Sequence, residues 1–169
     1  MKILLMNGPN LSMLGIREPE VYGTETLAEL EQRVSSYAYS RGVEIECFQS
    51  NHEGELIDRL HQAQGVFDGI VYNPGAHSHY SYALRDAVAS IDVPVVEVHI
   101  SNPSLREAFR HVSVIGPVCA AQVKGLGFAG YEKAIDILMD VPDLADLGDG
   151  FEEDFLPTST VIVSHRLDA

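Results

Sequence analysis

Hydrophobic and polar positions alternate along this chain in blocks that change period. Residues Lys2 to Met6 form a short apolar run that reads as a buried first strand. Leu27, Leu30, Val34 and Ala38 then share one stripe of a helix over about residues 25–41. Thr26-x-x-Glu29 is a capping box that opens this helix, and Gly42 is the expected stop. Val43 to Phe48 predicts a second strand, and a helix follows Gly54 with Leu56, Ile57 and Leu60 on one side. Asp68 to Tyr72 predicts a third strand, followed by a helix with Leu84, Ala87, Val88 and Ile91 on its core stripe. Val93 to Ile100 is the fourth strand and Val112 to Ile115 the fifth. Ser101 to Arg110 reads as a loop and short helix, capped by Asn102 with Pro103 or by Ser104 with Glu107. A last helix over Gly125 to Asp140 turns Tyr131, Ala134, Ile135 and Leu138 inward.

Strands alternating with helices imply an α/β domain whose parallel sheet is covered on both faces. With right-handed crossovers the expected architecture is a three-layer, flavodoxin-like fold with a five-stranded parallel sheet in the order 2-1-3-4-5. That order puts the switch point between strands 1 and 3. Ligands bind at such points, beyond the carboxyl ends of the strands. The loops leaving these two strands, residues 7–23 and 73–80, are also the richest in polar chemistry. The first spans about 17 residues, against about 2–6 for an ordinary connection. A loop of that length reads as a lid or a binding loop, stiffened by Pro9 and Pro19 and with Gly15 and Gly23 as candidate hinges.

Length supports one domain with a real core, taken as residues 1–140, followed by an acidic extension over 141–169. That extension carries Asp143, Asp146, Asp149, Glu152, Glu153, Asp154 and Asp168 against Arg166 alone. Its segment 159–164 is nevertheless β-prone and suited to an edge or a neighbouring subunit. The formal net charge of −14 argues against nucleic acid or an anionic membrane as partner. An anionic substrate is compatible with it only if the few arginines gather locally. No apolar run approaches membrane-spanning length and Met1-Lys2 leads directly into strand, so a cytoplasmic protein is expected. Cys47 and Cys119 lack metal or redox spacing and read as buried thiols.

Four groups of residues carry chemistry. Glu97 and His99 lie two apart on a strand, hence on one face, so the carboxylate is placed to orient the imidazole. Among Val95, Val96 and Val98 a charged glutamate is costly unless paired. Ser101-Asn102 adds backbone N–H groups and a hydroxyl suited to a carboxylate. Arg17 and Tyr22 share the long loop, and a nearby guanidinium favours tyrosinate. Asn73 and His79 stand at the mouth of strand 3, and Asn73 suits a hydroxylated ligand. His77-x-His79 is a possible metal pair, but no Cys or acid stands beside it as a third ligand.

Five motifs follow one another along the chain: the segment from Asn7 to Gly23 with its Arg17-Glu-Pro and Tyr22-Gly, Gln49-Ser-Asn-x-Glu-Gly-Glu-Leu56, Asn73-Pro-Gly-Ala-x-Ser-His-x-Ser81, Arg85-Asp-Ala87 and Glu97-Val-His-Ile-Ser-Asn102. In that order they resemble the type II 3-dehydroquinate dehydratases. The resemblance runs from residue 1 to about 140. It implies dehydration of 3-dehydroquinate to 3-dehydroshikimate, in the shikimate pathway or in quinate catabolism. It also implies that no metal or organic cofactor is needed, and a homododecamer of four trimers. By the same resemblance Tyr22 is the base with Arg17 favouring its ionised form, Asn10 holds a water against the enolate oxygen, and His99, oriented by Glu97, is the general acid. Asn73, Ile100, Ser101 and Arg110 match substrate-binding positions, His79 lies near the substrate, and Asp86 reaches a neighbouring subunit's site. Ser12 and His77 depart from the family pattern, as does the length of the extension.

Two other classes of protein compete with this one. A metal hydrolase would be built on His77, His79 and His99 and would lose activity to chelator. A binding module would be an FMN carrier or a phospho-receiver. Met6-Asn7-Gly8 lacks the acids of a receiver, and Pro9-Asn10-Leu11 lacks the phosphate loop of an FMN site.

Overall fold

The computed structural model describes residues 1–16 and 23–140, together with the backbone of 161–164. The strands are β1 (Lys2–Asn7), β2 (Glu44–Gln49), β3 (Gly69–Asn73), β4 (Val95–His99), β5 (Ala121–Lys124) and β6 (Val161–Ser164). The helices are α1 (Leu27–Ser40), α2 (Glu53–Ala63), α3 (Tyr82–Ala89) and α4 (Ala129–Asp140). The sheet runs β2-β1-β3-β4-β5-β6, and every pairing is parallel. The expected order 2-1-3-4-5 is therefore present, and the β-prone segment of the extension adds a strand beyond β5.

Alternate strand residues feed two cores. Ile3, Leu5, Val71, Val96 and Val98 meet Leu30, Val34 and Ala38 of α1 and Tyr131, Ala134, Ile135 and Leu138 of α4. Leu4, Met6, Ile70, Tyr72 and Val95 meet Leu56 and Leu60 of α2 and Leu84 and Val88 of α3. Each large aliphatic side chain so buried contributes ~1.5–3 kcal/mol. These two cores produce three layers and fix which loops emerge at the carboxyl edge. The capping box is complete: Glu29 N donates to the Thr26 hydroxyl, and the Glu29 carboxylate accepts from Thr26 N.

Three local expectations are corrected. The fifth strand is Ala121–Lys124, not Val112 to Ile115. The earlier segment finds its hydrogen bonds elsewhere: Val114 N donates to Ser78 O at 2.7 Å, and the carbonyls of Val112 and Val114 accept from His79 and Arg85. Its backbone groups are thus taken by a turn and two side chains, and β4 pairs instead with β5. The last helix starts at Ala129, because Gly125 and Gly127 adopt positive φ and carry a turn before it. Cys47 is exposed, since β2 is an edge strand, whereas Cys119 is buried as expected. Residues 101–110 form two short 3-10 turns, the first capped by Asn102 with Pro103 following.

Candidate active site

The carboxyl ends of β1 and β3 meet tightly. Asn7 and Asn73 are paired in register, and Gly8 N donates to Asn73 O at 2.8 Å. A Cβ on Gly8 would lie 2.7 Å from the Pro74 carbonyl oxygen, so only glycine permits this approach. Beyond it Asn10 takes a left-handed conformation, φ 67°, and its amide donates to the Asn51 side chain at 2.9 Å. Asparagine tolerates that conformation better than most residues. The result is a loop start held rigidly over the switch point.

A cleft of about 120 Å³ opens there. Asn10, Asn73, His79, His99, Ile100, Ser101 and Arg110 all line it, as the sequence leads one to expect. Arg106, Leu14 and Pro103 line it as well and were not anticipated. Arg106 and Arg110 gather positive charge at the mouth of a strongly acidic chain, both within ion-pair reach of Glu107 at 3.5 and 2.8 Å. Asp86 is exposed on α3 and is not among the cleft's lining residues. Arg17 and Tyr22 lie outside the described residues, between Gly15 and Gly23 with φ of 82° and 83°.

Glu97 sits fully buried beneath His99. Its Oε1 accepts from His99 Nε2 at 2.6 Å. The Ser113 hydroxyl donates to both carboxylate oxygens, at 2.8 and 3.0 Å, and Gln122 Nε2 donates to Oε2 at 2.7 Å. Burial pushes this carboxyl's pKa up, but the bonds from His99, Ser113 and Gln122 outweigh it and leave the pKa below the ordinary value. A carboxylate therefore faces the imidazole, and Nδ1 is the ring nitrogen that Glu97 does not engage. Ser113 and Gln122 escaped notice in the sequence, although Gln122 is a polar residue set between Ala121 and Val123. A Cβ on Gly116 would fall 1.3 Å from Gln122 Nε2, so the glycine makes room for this bond.

His79 stacks on His99 with ring centroids 6.4 Å apart and planes 16° from parallel. Its Nδ1 donates to the Val112 carbonyl at 2.9 Å, which fixes the ring. Burial lowers its pKa, opposed by that bond, so the neutral form predominates. His77 is buried and is not among the cleft's lining residues; no metal-binding cluster occurs among the described residues.

A parallel α/β sheet with a carboxylate-oriented histidine, amides and arginines around its switch point is an arrangement suited to acid–base chemistry on a small polar, anionic molecule. The class II dehydroquinase family model matches residues 1–139, and the chain belongs to that family. A 3-dehydroquinate dehydratase of Bacillus licheniformis is 62% identical over 138 residues, 82% of this chain and 95% of that protein. A Bacillus cereus protein of the same name is 59% identical over 139 residues, again 82% and 95% of the two chains. The crystal structure of a type II dehydroquinase from Butyrivibrio crossotus superposes with a TM-score of 0.81 at 53% identity, covering 82% of this chain and 97% of that one. A type II dehydroquinase from Propionibacterium acnes gives 0.79 at 41% identity, with the same coverage.

Proposed function

We propose that this enzyme dehydrates 3-dehydroquinate to 3-dehydroshikimate by anti elimination through an enolate. The observation carrying the proposal is the buried Glu97–His99 pair opening onto a cleft lined by Asn10, Asn73, Ser101 and Arg110. Tyr22, as phenolate beside Arg17, removes a proton from C2 next to the ketone. The electron pair moves onto the ketone oxygen, where a water held by Asn10 stabilises the charge. The enolate then reforms the ketone and expels the C1 hydroxyl, which leaves as water on taking the His99 proton. Glu97 stabilises the imidazolium before transfer and fixes the ring throughout. The Ile100–Ser101 backbone and Ser101 hydroxyl hold the substrate carboxylate, aided by Arg110, and Asn73 binds a hydroxyl. Tyrosine and histidine recover their starting protonation from solvent.

No step requires a metal or organic cofactor, and no lysine lies in the proposed site. Lys2, Lys124 and Lys133 are the chain's lysines, so a Schiff base has no amine in the cleft lining. The assembly that accords with this reading is a dodecamer of four trimers with Asp86 serving a neighbour's site. The setting is the cytoplasm, in the shikimate pathway or quinate catabolism. No helix among the described residues is long and apolar enough to cross a membrane.

Adding 3-dehydroquinate should produce a rise in ultraviolet absorbance as the conjugated enone forms. EDTA should leave the rate unchanged, and borohydride with substrate should leave activity and protein mass unchanged. Absence of enone formation, or an inactive adducted enzyme, would overturn the reading.

A further inference from the structure

We infer that Tyr131, outside the cleft, is a positioning residue that sets how Asn73 meets the substrate. Asn7 and Asn73 stand side by side at the ends of β1 and β3, so their side chains leave the sheet on the same face. Tyr131 rises from α4 on that face and is fully buried. Asn73 Nδ2 donates to the Tyr131 hydroxyl at 2.8 Å, and that hydroxyl donates to Asn7 Oδ1 at 2.9 Å. The other end of the Asn73 amide, Oδ1, accepts from Gly75 N at 3.1 Å.

This chain has one direction. A phenol has a single proton, and in this chain Asn7 Oδ1 accepts it. The hydroxyl oxygen facing Asn73 is then an acceptor, which only the NH2 end of the amide satisfies. Gly75 N, a donor, demands the oxygen end. Two independent partners therefore select one of the two amide orientations, and they leave one N–H and one lone pair of Asn73, a residue that lines the cleft, outside these two bonds. Burial raises the Tyr131 pKa, so the phenol keeps the proton on which this directionality depends. Among the described residues, Asn7 Nδ2 is buried with no hydrogen-bond partner. Leaving such a donor unpaired is costly. Turning the Asn7 amide would only move the deficit, since both amides would then donate to the phenol oxygen and its own proton would lose the acceptor. The orphaned group marks a residue held for the orientation of its oxygen.

A purely structural role would make Tyr131 one more core residue of the α4 stripe, and its hydroxyl would matter only to stability. The positioning role instead couples it to substrate affinity. This rests on the reading of Asn73 as a substrate ligand, and the experiment separates the two. Tyr131→Phe, Asn73→Ala and the double variant are compared for KM and kcat on 3-dehydroquinate, with Tm measured alongside. Asn73→Ala should raise KM by roughly 10-fold, the scale of one polar contact at a buried site. Tyr131→Phe should raise KM by about 3- to 10-fold with kcat changed less. In the Asn73→Ala background the same substitution should raise KM by less than about twofold, since its effect runs through the lost amide. Asn7→Ala, which removes the phenol's acceptor, is a second route to the same KM increase should Tyr131→Phe fold poorly. If Tyr131→Phe and Asn7→Ala lower Tm but leave KM alone, or if Tyr131→Phe raises KM equally with and without Asn73, the positioning role is wrong. If Asn73→Ala itself leaves KM unchanged, the reading of Asn73 as a ligand has failed first.

Discussion

Glu97→Gln keeps the shape of the side chain and removes its charge. The carboxylate accepts from His99 at 2.6 Å, from Ser113 at 2.8 and 3.0 Å and from Gln122 at 2.7 Å. An amide has one acceptor oxygen, so its NH2 must face either His99 or Gln122. Gln122 can turn its own amide and present oxygen, which leaves His99 bonded to a neutral carbonyl. A hydrogen bond to a charged group contributes about 1.5–3 kcal/mol, against about 0.5–1.5 for a neutral one. The imidazolium therefore loses roughly 1–2 kcal/mol of support, or about 5- to 30-fold in kcat. KM should barely move, because Glu97 is fully buried and not part of the cleft lining. Steady-state kinetics by enone absorbance read both constants. Solvent exchange of the C2 hydrogen adds a second measure: loss of hydroxide should slow more than enolate formation. An unchanged kcat, or a raised KM at constant kcat, would refute the reasoning. The same variant has a signature in stability. The folded Glu97 pKa lies below the ordinary value of 4.5, so its contribution is complete above that value and is lost as pH falls through the folded one. Glu97→Gln should therefore flatten the fall in stability on acidification, measured by denaturant midpoint from pH 6 down to about 3.

Gly116→Ala would set a methyl 1.3 Å from Gln122 Nε2 and 2.8 Å from Glu97 Oε2; expelling Gln122 should cost about 1–3 kcal/mol, seen as a lower Tm with a reduced kcat. Unchanged values of both would show that the network does not depend on this glycine. Tyr22→Phe should abolish turnover with an unaltered circular dichroism spectrum, and retention of more than roughly a few per cent of kcat would assign the base elsewhere. Cutting the chain after Asp140 removes β6 and leaves β5 at the sheet edge; activity and the proposed dodecameric assembly should persist with a Tm lower by a few degrees. Monomers or inactive trimers on light scattering would make the extension an assembly element.

Periodicity carried most of the architecture. The stripes of α1 to α4 and the apolar runs of β1, β3 and β4 were legible because one-sided burial imposes a fixed spacing on each element. Glu97 and His99 were legible as a pair because two-residue spacing on a strand needs no knowledge of distant parts of the chain. The same logic misassigned the fifth strand. Val112 to Ile115 has the composition of a strand, but a strand exists only where a neighbour offers its ladder, and here a turn, His79 and Arg85 take those backbone groups. Ala121–Lys124 has weaker β character and is a strand because β4 pairs with it. Tertiary structure alone decided the supports of the site. Ser113 and Gln122 reach Glu97 from 16 and 25 residues away, and Tyr131 meets Asn73 across 58. Local sequence encodes which face a side chain takes, but which polar atoms meet in the buried interior depends on how the layers close. Tyr131 shows the division: its place on the inward stripe of α4 was evident from spacing, and the use of its one hydroxyl was not.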